Sequence, residues 1–108
     1  MVRELVVSPR AEGDIVAAAD RFFAYDGPTP QALRRLQDLV EAIEDLINAP
    51  VRFRTSAKFA GVRERIVSGC TIYFRVLPDT ADNATAGDVR VLHVKLPGQD
   101  DPVRLRAR

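Results

Sequence analysis

The hydrophobic period of this chain changes once, and that change limits the folds open to it. Between Ser8 and Asn48 apolar side chains recur every three or four positions, whereas beyond Gly61 they recur every two. Two helices followed by a set of strands is what such a change demands. The first helical stretch, SPRAEGDIVAAADRFFAY, opens with Ser8 able to accept a backbone N–H and with Pro9 suited to the first helical position. Glu12 and Asp14 then favour the positive end of the helix dipole. Ala11, Ile15, Ala18 and Phe22 form one apolar stripe, and DGP stops it. Thr29 and Pro30 repeat the cap and proline, and Leu33, Leu36, Val40, Ile43 and Ile47 make a second stripe that Leu39 and Leu46 widen. The connection DGPT is short, so the helices are predicted to lie antiparallel as a hairpin. Asn48 and Pro50 end the second.

A short strand, RELVVS, precedes the hairpin, and its unbroken Leu5, Val6 and Val7 predict a covered position. After a loop with some extended character, VRFRTSAKFA, the stretch GVRERIVSGCTIYFRV reads as two strands folded back on each other. Alternation predicts an apolar face with Val62, Ile66, Ile72, Phe74 and Val76, and an opposite face carrying Arg63, Arg65, Tyr73 and Arg75. PDTADNATAGD reads as a long mobile loop, and VRVLHVKL as the last strand of an antiparallel meander. PGQDDP breaks that strand, and VRLRAR reads as a short extra strand or a disordered tail. The prediction is an α+β domain of order β-α-α-β-β-β over residues 1–96, with 97–108 as a C-terminal extension. Helices gathered on one face of the sheet leave the other free.

At 108 residues the chain has the length of one domain with one core. No apolar run approaches the roughly 20 residues that span a bilayer, and the N-terminal apolar stretch is too short for a signal peptide, so a cytoplasmic protein is expected. Cys70 is the sole cysteine, which leaves no intrachain disulfide and no metal-ligand spacing. No glycine-rich phosphate loop appears either, and neither a cofactor nor a metal is expected. The net charge of +1 hides a segregation: acids dominate from Ala11 to Pro50, while from Val51 to Arg75 six basic residues face only Glu64. An anionic partner for the second half, nucleic acid or acidic polypeptide, is the functional reading of that asymmetry; a solvated surface is the plain one.

Taken together, VVSPRAEGDI, the GPTPQALRRLQDLVEAIEDLINAP hairpin, GVRERIVSGCTIYFRV and the closing VRVLH resemble the RelE/ParE superfamily of bacterial type II toxin–antitoxin toxins, also called plasmid stabilisation proteins. The resemblance spans about residues 3–96 and implies a small toxin that a cognate antitoxin, ParD-like in the nearer branch, wraps and neutralises in a hetero-oligomer. Two branches share the fold. RelE-like members cleave messenger RNA in the ribosomal A site, and ParE-like members poison DNA gyrase. SGCTIYFRV followed by VRVLH is more similar to the ParE branch. After His93, where many relatives carry an arginine- and aspartate-containing run, this chain has VKLPGQDDP, with Lys95 supplying the charge but not an arginine's fork.

The residues can be weighed against both mechanisms. Cutting RNA without metal needs a base, an acid and cations around the transition state. Arg63, Arg65 and Arg75 could supply the cations, and His93, the only histidine, the proton transfer. No carboxylate stands beside them except Glu64, which alternation sends to the apolar face. A lone strand histidine is more often structural, and Tyr73 more often packs than stacks on a base. Inhibition of gyrase asks only for a surface, here Arg63, Arg65, Tyr73, Arg75 and Lys95. A third reading is a decayed member that binds an antitoxin and nothing else. The antitoxin is expected on the second helix at Leu36, Leu39 and Leu46, where the stripe is wider than one sheet face requires.

Overall fold

The computed structural model describes residues 2–102 and 105. β1 (Leu5–Val7) leads into α1 (Pro9–Asp26) and α2 (Pro30–Glu44), which runs on through a 3₁₀ turn, Asp45–Asn48. β2 (Arg63–Val67), β3 (Cys70–Leu77) and β4 (Asp88–Lys95) follow. Both helix starts are capped as their sequences predict. Ser8 Oγ accepts from the amide of Ala11 at 3.1 Å and Thr29 Oγ1 from that of Ala32 at 3.2 Å.

The sheet has the order β1-β4-β3-β2, with β1 parallel to β4 and the other two pairings antiparallel. The helical hairpin covers one face. Phe22, Leu39, Ile43 and Leu46 meet Ile72, Phe74, Val76, Val89, Val91 and Val94 there in one buried cluster. The predicted α+β order is therefore the observed one.

The register of the β2–β3 hairpin overturns the predicted division of faces. Ser68 and Gly69 both have positive φ, 52° and 76°, as a two-residue type I′ turn requires. That turn pairs Val67 with Cys70, and so Arg65 with Ile72 and Arg63 with Phe74. Directly paired residues share a face. Arg63 and Arg65 accordingly lie on the side of the helices, while Val62, Glu64 and Ile66 lie on the side of Tyr73 and Arg75. Composition suggested the opposite, but turn geometry, which fixes register, decided it.

Two further expectations change. Leu39 and Leu46 are fully buried in the core, and Leu36 is half-buried against it, because the wide stripe serves the sheet on one side and α1 on the other. The 78–87 loop is knit down instead of mobile: Asn83 Oδ1 accepts from the amide of Val51, Arg3 donates to the carbonyls of Asn83 and Ala86, and Asp79 binds Arg63. Residues 103, 104 and 106–108, read as an extra strand or tail, lie outside the described residues, but Leu105 packs against Val62, Tyr73 and Leu92.

Candidate functional site

The face of the sheet turned away from the helices is built by alternation from Val6 of β1, Arg90 of β4, Tyr73 and Arg75 of β3, and Glu64 and Ile66 of β2. A bulge sharpens it. Tyr73 pairs with His93 but Phe74 with Val91, so Leu92 is the extra residue, and both Leu92 and His93 turn to this face.

Tyr73 and His93 form its centre. Their rings stack with centroids 6.0 Å apart, and Phe59 meets the tyrosine edge-on at 5.8 Å. Tyr73 is 3% exposed and His93 8%. Burial pushes the Tyr73 phenol up, and the nearby Asp101 charge adds to the shift. Where β1 ends, Asp14 of α1 reaches the exposed edge of β4: its Oδ2 accepts from the amide of Val94 at 3.0 Å and lies 2.6 Å from His93 Nδ1. The carboxylate thus caps a free strand amide and fixes the imidazole, with Nδ1 as the donor.

The chain beyond β4 folds back over this centre. Asp101 accepts from Lys95 Nζ at 2.8 Å and from the Tyr73 hydroxyl at 3.4 Å, and it lies 3.9 Å from Lys58 Nζ. The bond to Asp101 pushes the Lys95 ammonium up, and Lys95 in turn holds the Asp101 carboxyl low. Pro102 is buried and Leu105 packs on Tyr73 and Leu92. Lys95 is therefore spent on an internal ion pair.

Arg63 and Arg65 are also internally partnered. Arg63 donates Nε and Nη2 to the two oxygens of Asp79 at 2.7 and 3.0 Å, and Nη1 to the carbonyls of Phe53 and Val51 at 2.7 and 3.2 Å. It is 8% exposed, and its guanidinium holds the Asp79 carboxyl below the ordinary range. Arg65 donates to the carbonyl of Ala42, near the negative end of α2, and to Asp45, while lying 4.8 Å over the ring of Phe53. Asp45 is held low first by its bond to Asn48 and then by Arg52 and Arg65, against desolvation. Arg54 pairs with Glu64 at 3.1 Å.

Arg75 alone of the three predicted arginines points outward on the free face. Its Nη1 is 3.5 Å from the carbonyl of Gly61, the limit of a hydrogen bond, and its buried Nε has no partner among the described residues. Arg90 faces it directly across the strands. The structure thus joins Tyr73, Arg75, His93 and Lys95 on one face and removes Arg63 and Arg65 to the other. Asp14, Asp79, Asp101 and Arg90 were not foreseen. Alternation through VRVLH could have found Arg90, while nothing in the spacing ties Asp14 to His93 or Asp79 to Arg63. No group of three or more His, Cys, Asp or Glu side chains is placed to hold a metal among the described residues.

Residues 5–95 match the family described as ParE toxin of the type II toxin–antitoxin system parDE. The chain belongs to the ParE toxin family. It is thus a ParE-like toxin of the type II toxin–antitoxin class, and membership implies a cognate antitoxin partner. The fold is similar to a solved structure titled as the chromosomal ParDE toxin–antitoxin system from P. aeruginosa, with a TM-score of 0.68 and 21% identity, covering 88% of this chain and 96% of that one. No curated protein matches the chain. No helix among the described residues is long and apolar enough to cross a membrane.

Proposed function

We propose that this ParE-like toxin acts in the cytoplasm by binding DNA gyrase through the free face of its sheet, and that it cleaves nothing. What supports this reading is the condition of the groups that chemistry would need. His93 is 8% exposed, stacked on Tyr73 and tied to Asp14, and Arg63 and Arg65 are engaged in holding the hairpin to its neighbours. A ribonuclease needs a mobile proton and unspent cations at one place. A surface inhibitor needs a few well-placed contacts, for which arginine and tyrosine are favoured kinds. Arg75 is the residue of this face best able to serve, with Tyr73 and Lys95 beneath or beside the returning chain and Arg63 and Arg65 in support. Antitoxin contacts on the hairpin would fall on Leu36 and the half-exposed Leu33, since Leu39 and Leu46 have no surface to give.

The test runs gyrase supercoiling and ribosome-bound message cleavage side by side, with the wild type and His93→Ala. Supercoiling should stop, message should stay whole, and the histidine variant should inhibit as well per folded molecule. Message cut at the A site, with cutting abolished in His93→Ala, would replace this reading with the ribonuclease one.

A further inference from the structure

The cations of the second half of the chain are not equal. Lys58, Lys95, Arg52, Arg54, Arg63 and Arg65 each have a carboxylate within ion-pair distance. Arg75 and Arg90 have none among the described residues, although they stand directly opposite each other on neighbouring strands of the free face. Side chains so placed start about 5 Å apart, and like charges there repel. Arg75 carries a second cost, because its Nε is buried and unbonded. Its guanidinium also lies against the backbone just before β2. Gly61, at φ 73°, passes so close that a Cβ there would come within 2.7 Å of Arg75 Nη1. An arginine placed opposite a like charge, with a donor unmet, is suited to an oxyanion that would satisfy both guanidinia at once.

We propose that Arg75 and Arg90 form an anion site that a carboxylate side chain of the cognate antitoxin occupies in the neutralised complex. The proposal rests on membership in the toxin–antitoxin family and not on which target the toxin attacks. Charge distribution selects the occupant. Binding to nucleic acid takes a train of unpaired cations along successive phosphates. Among the described residues the neighbouring Arg54, Lys58 and Lys95 are already neutralised, so the unmet positive charge they leave is a point and not a stripe. Two forks beside the half-exposed Val6 match one carboxylate on an extended peptide, with the rim taking an apolar neighbour.

Two measurements test it. In the isolated protein, sodium acetate is titrated while the arginine Nε–H resonances are followed; the Arg75 signal should shift selectively in the wild type and stop responding in Arg90→Gln. In the complex, the cognate antitoxin is bound to the wild type and to the Arg75→Gln, Arg90→Gln double variant. The double variant should bind roughly 10- to 100-fold more weakly, as expected for lost bonds to a charged group, and with a shallower dependence on salt. Its melting temperature should equal or exceed that of the wild type, because a repulsion has been removed, so weaker binding would not reflect misfolding. Unchanged antitoxin affinity, or acetate shifts at Arg75 no larger than at the helix-surface Arg34, would overturn the site. A double variant that loses affinity for a short DNA duplex while keeping its antitoxin would overturn it in favour of nucleic acid. A wild type that captures no antitoxin would contradict the toxin–antitoxin reading, and the acetate titration would still decide the site.

Discussion

The two faces of this sheet spend their charges in opposite ways. On the covered face Ile72, Phe74, Val76, Val89, Val91 and Val94 fill the space beneath the hairpin, and the two arginines that share it, at the edge strand, are neutralised on arrival by Asp79, Asp45 and backbone carbonyls. On the free face Tyr73 and Leu92 are sheltered by Phe59 and Leu105, while Arg75 and Arg90 stand opposite each other with no acid paired to either among the described residues. An arginine on a strand is thus not in itself a sign of a binding surface. One set builds the fold, and the other is left without a carboxylate partner among the described residues.

The largest expected effect lies on the covered face. Phe74→Ala should cost about 3–5 kcal/mol, since Phe74 is fully buried and meets Phe53 edge-on at 6.0 Å. Urea denaturation would measure it, and a loss under about 1 kcal/mol would mean that the two faces do not differ as described. Arg63→Ala comes next. It leaves the Asp79 carboxylate and two carbonyls without their donor, and should cost about 2–3 kcal/mol, less than a fully buried pair because Asp79 is a quarter exposed.

The same pair shapes the acid limb of stability. The folded-state value of Asp79 is lowered by its bond to Arg63, so its contribution is complete above the unfolded value of about 3.9 and is lost as pH falls through the folded one. Asp79→Asn should therefore be less stable at neutral pH and should lose stability less steeply below about pH 4; parallel acid limbs would contradict the pairing. The smallest effect belongs to the free face. Tyr73→Phe removes only a 3.4 Å contact to the exposed Asp101, and should change stability by less than about 0.5 kcal/mol. A larger change would show that the returning chain is fastened through the hydroxyl.

The helices were legible because each signal was local: a cap, a proline and a stripe lie within one stretch of chain, and Ser8 and Thr29 do what their positions imply. The strands were legible as strands but not as faces. Val62 and Ile66 are apolar and Arg63 and Arg65 charged, so composition favoured one assignment, and only the two positive φ values at Ser68 and Gly69 impose the other. The candidate site was legible in part. Tyr73, Arg75, His93 and Lys95 do share a face, but what the first three do depends on Asp101, Arg90 and Asp14, partners 15 to 79 positions away: 90 − 75 and 93 − 14. Sequence separation of that size carries no local signal. Leu39 and Leu46 misled for a related reason, since a wide stripe reports contact on two sides without saying that both are internal.

The proposed division between fold-building and target-binding arginines is tested most directly by a paired titration of gyrase inhibition and melting temperature for Arg65→Gln and Arg75→Gln. Arg65→Gln should lower the melting temperature and keep full inhibition per folded molecule, because its guanidinium is spent on Ala42 and Asp45. Arg75→Gln should keep the melting temperature and lose inhibition by about 10-fold or more. The reverse pattern, inhibition lost with Arg65 and untouched with Arg75, would contradict the assignment of the two faces.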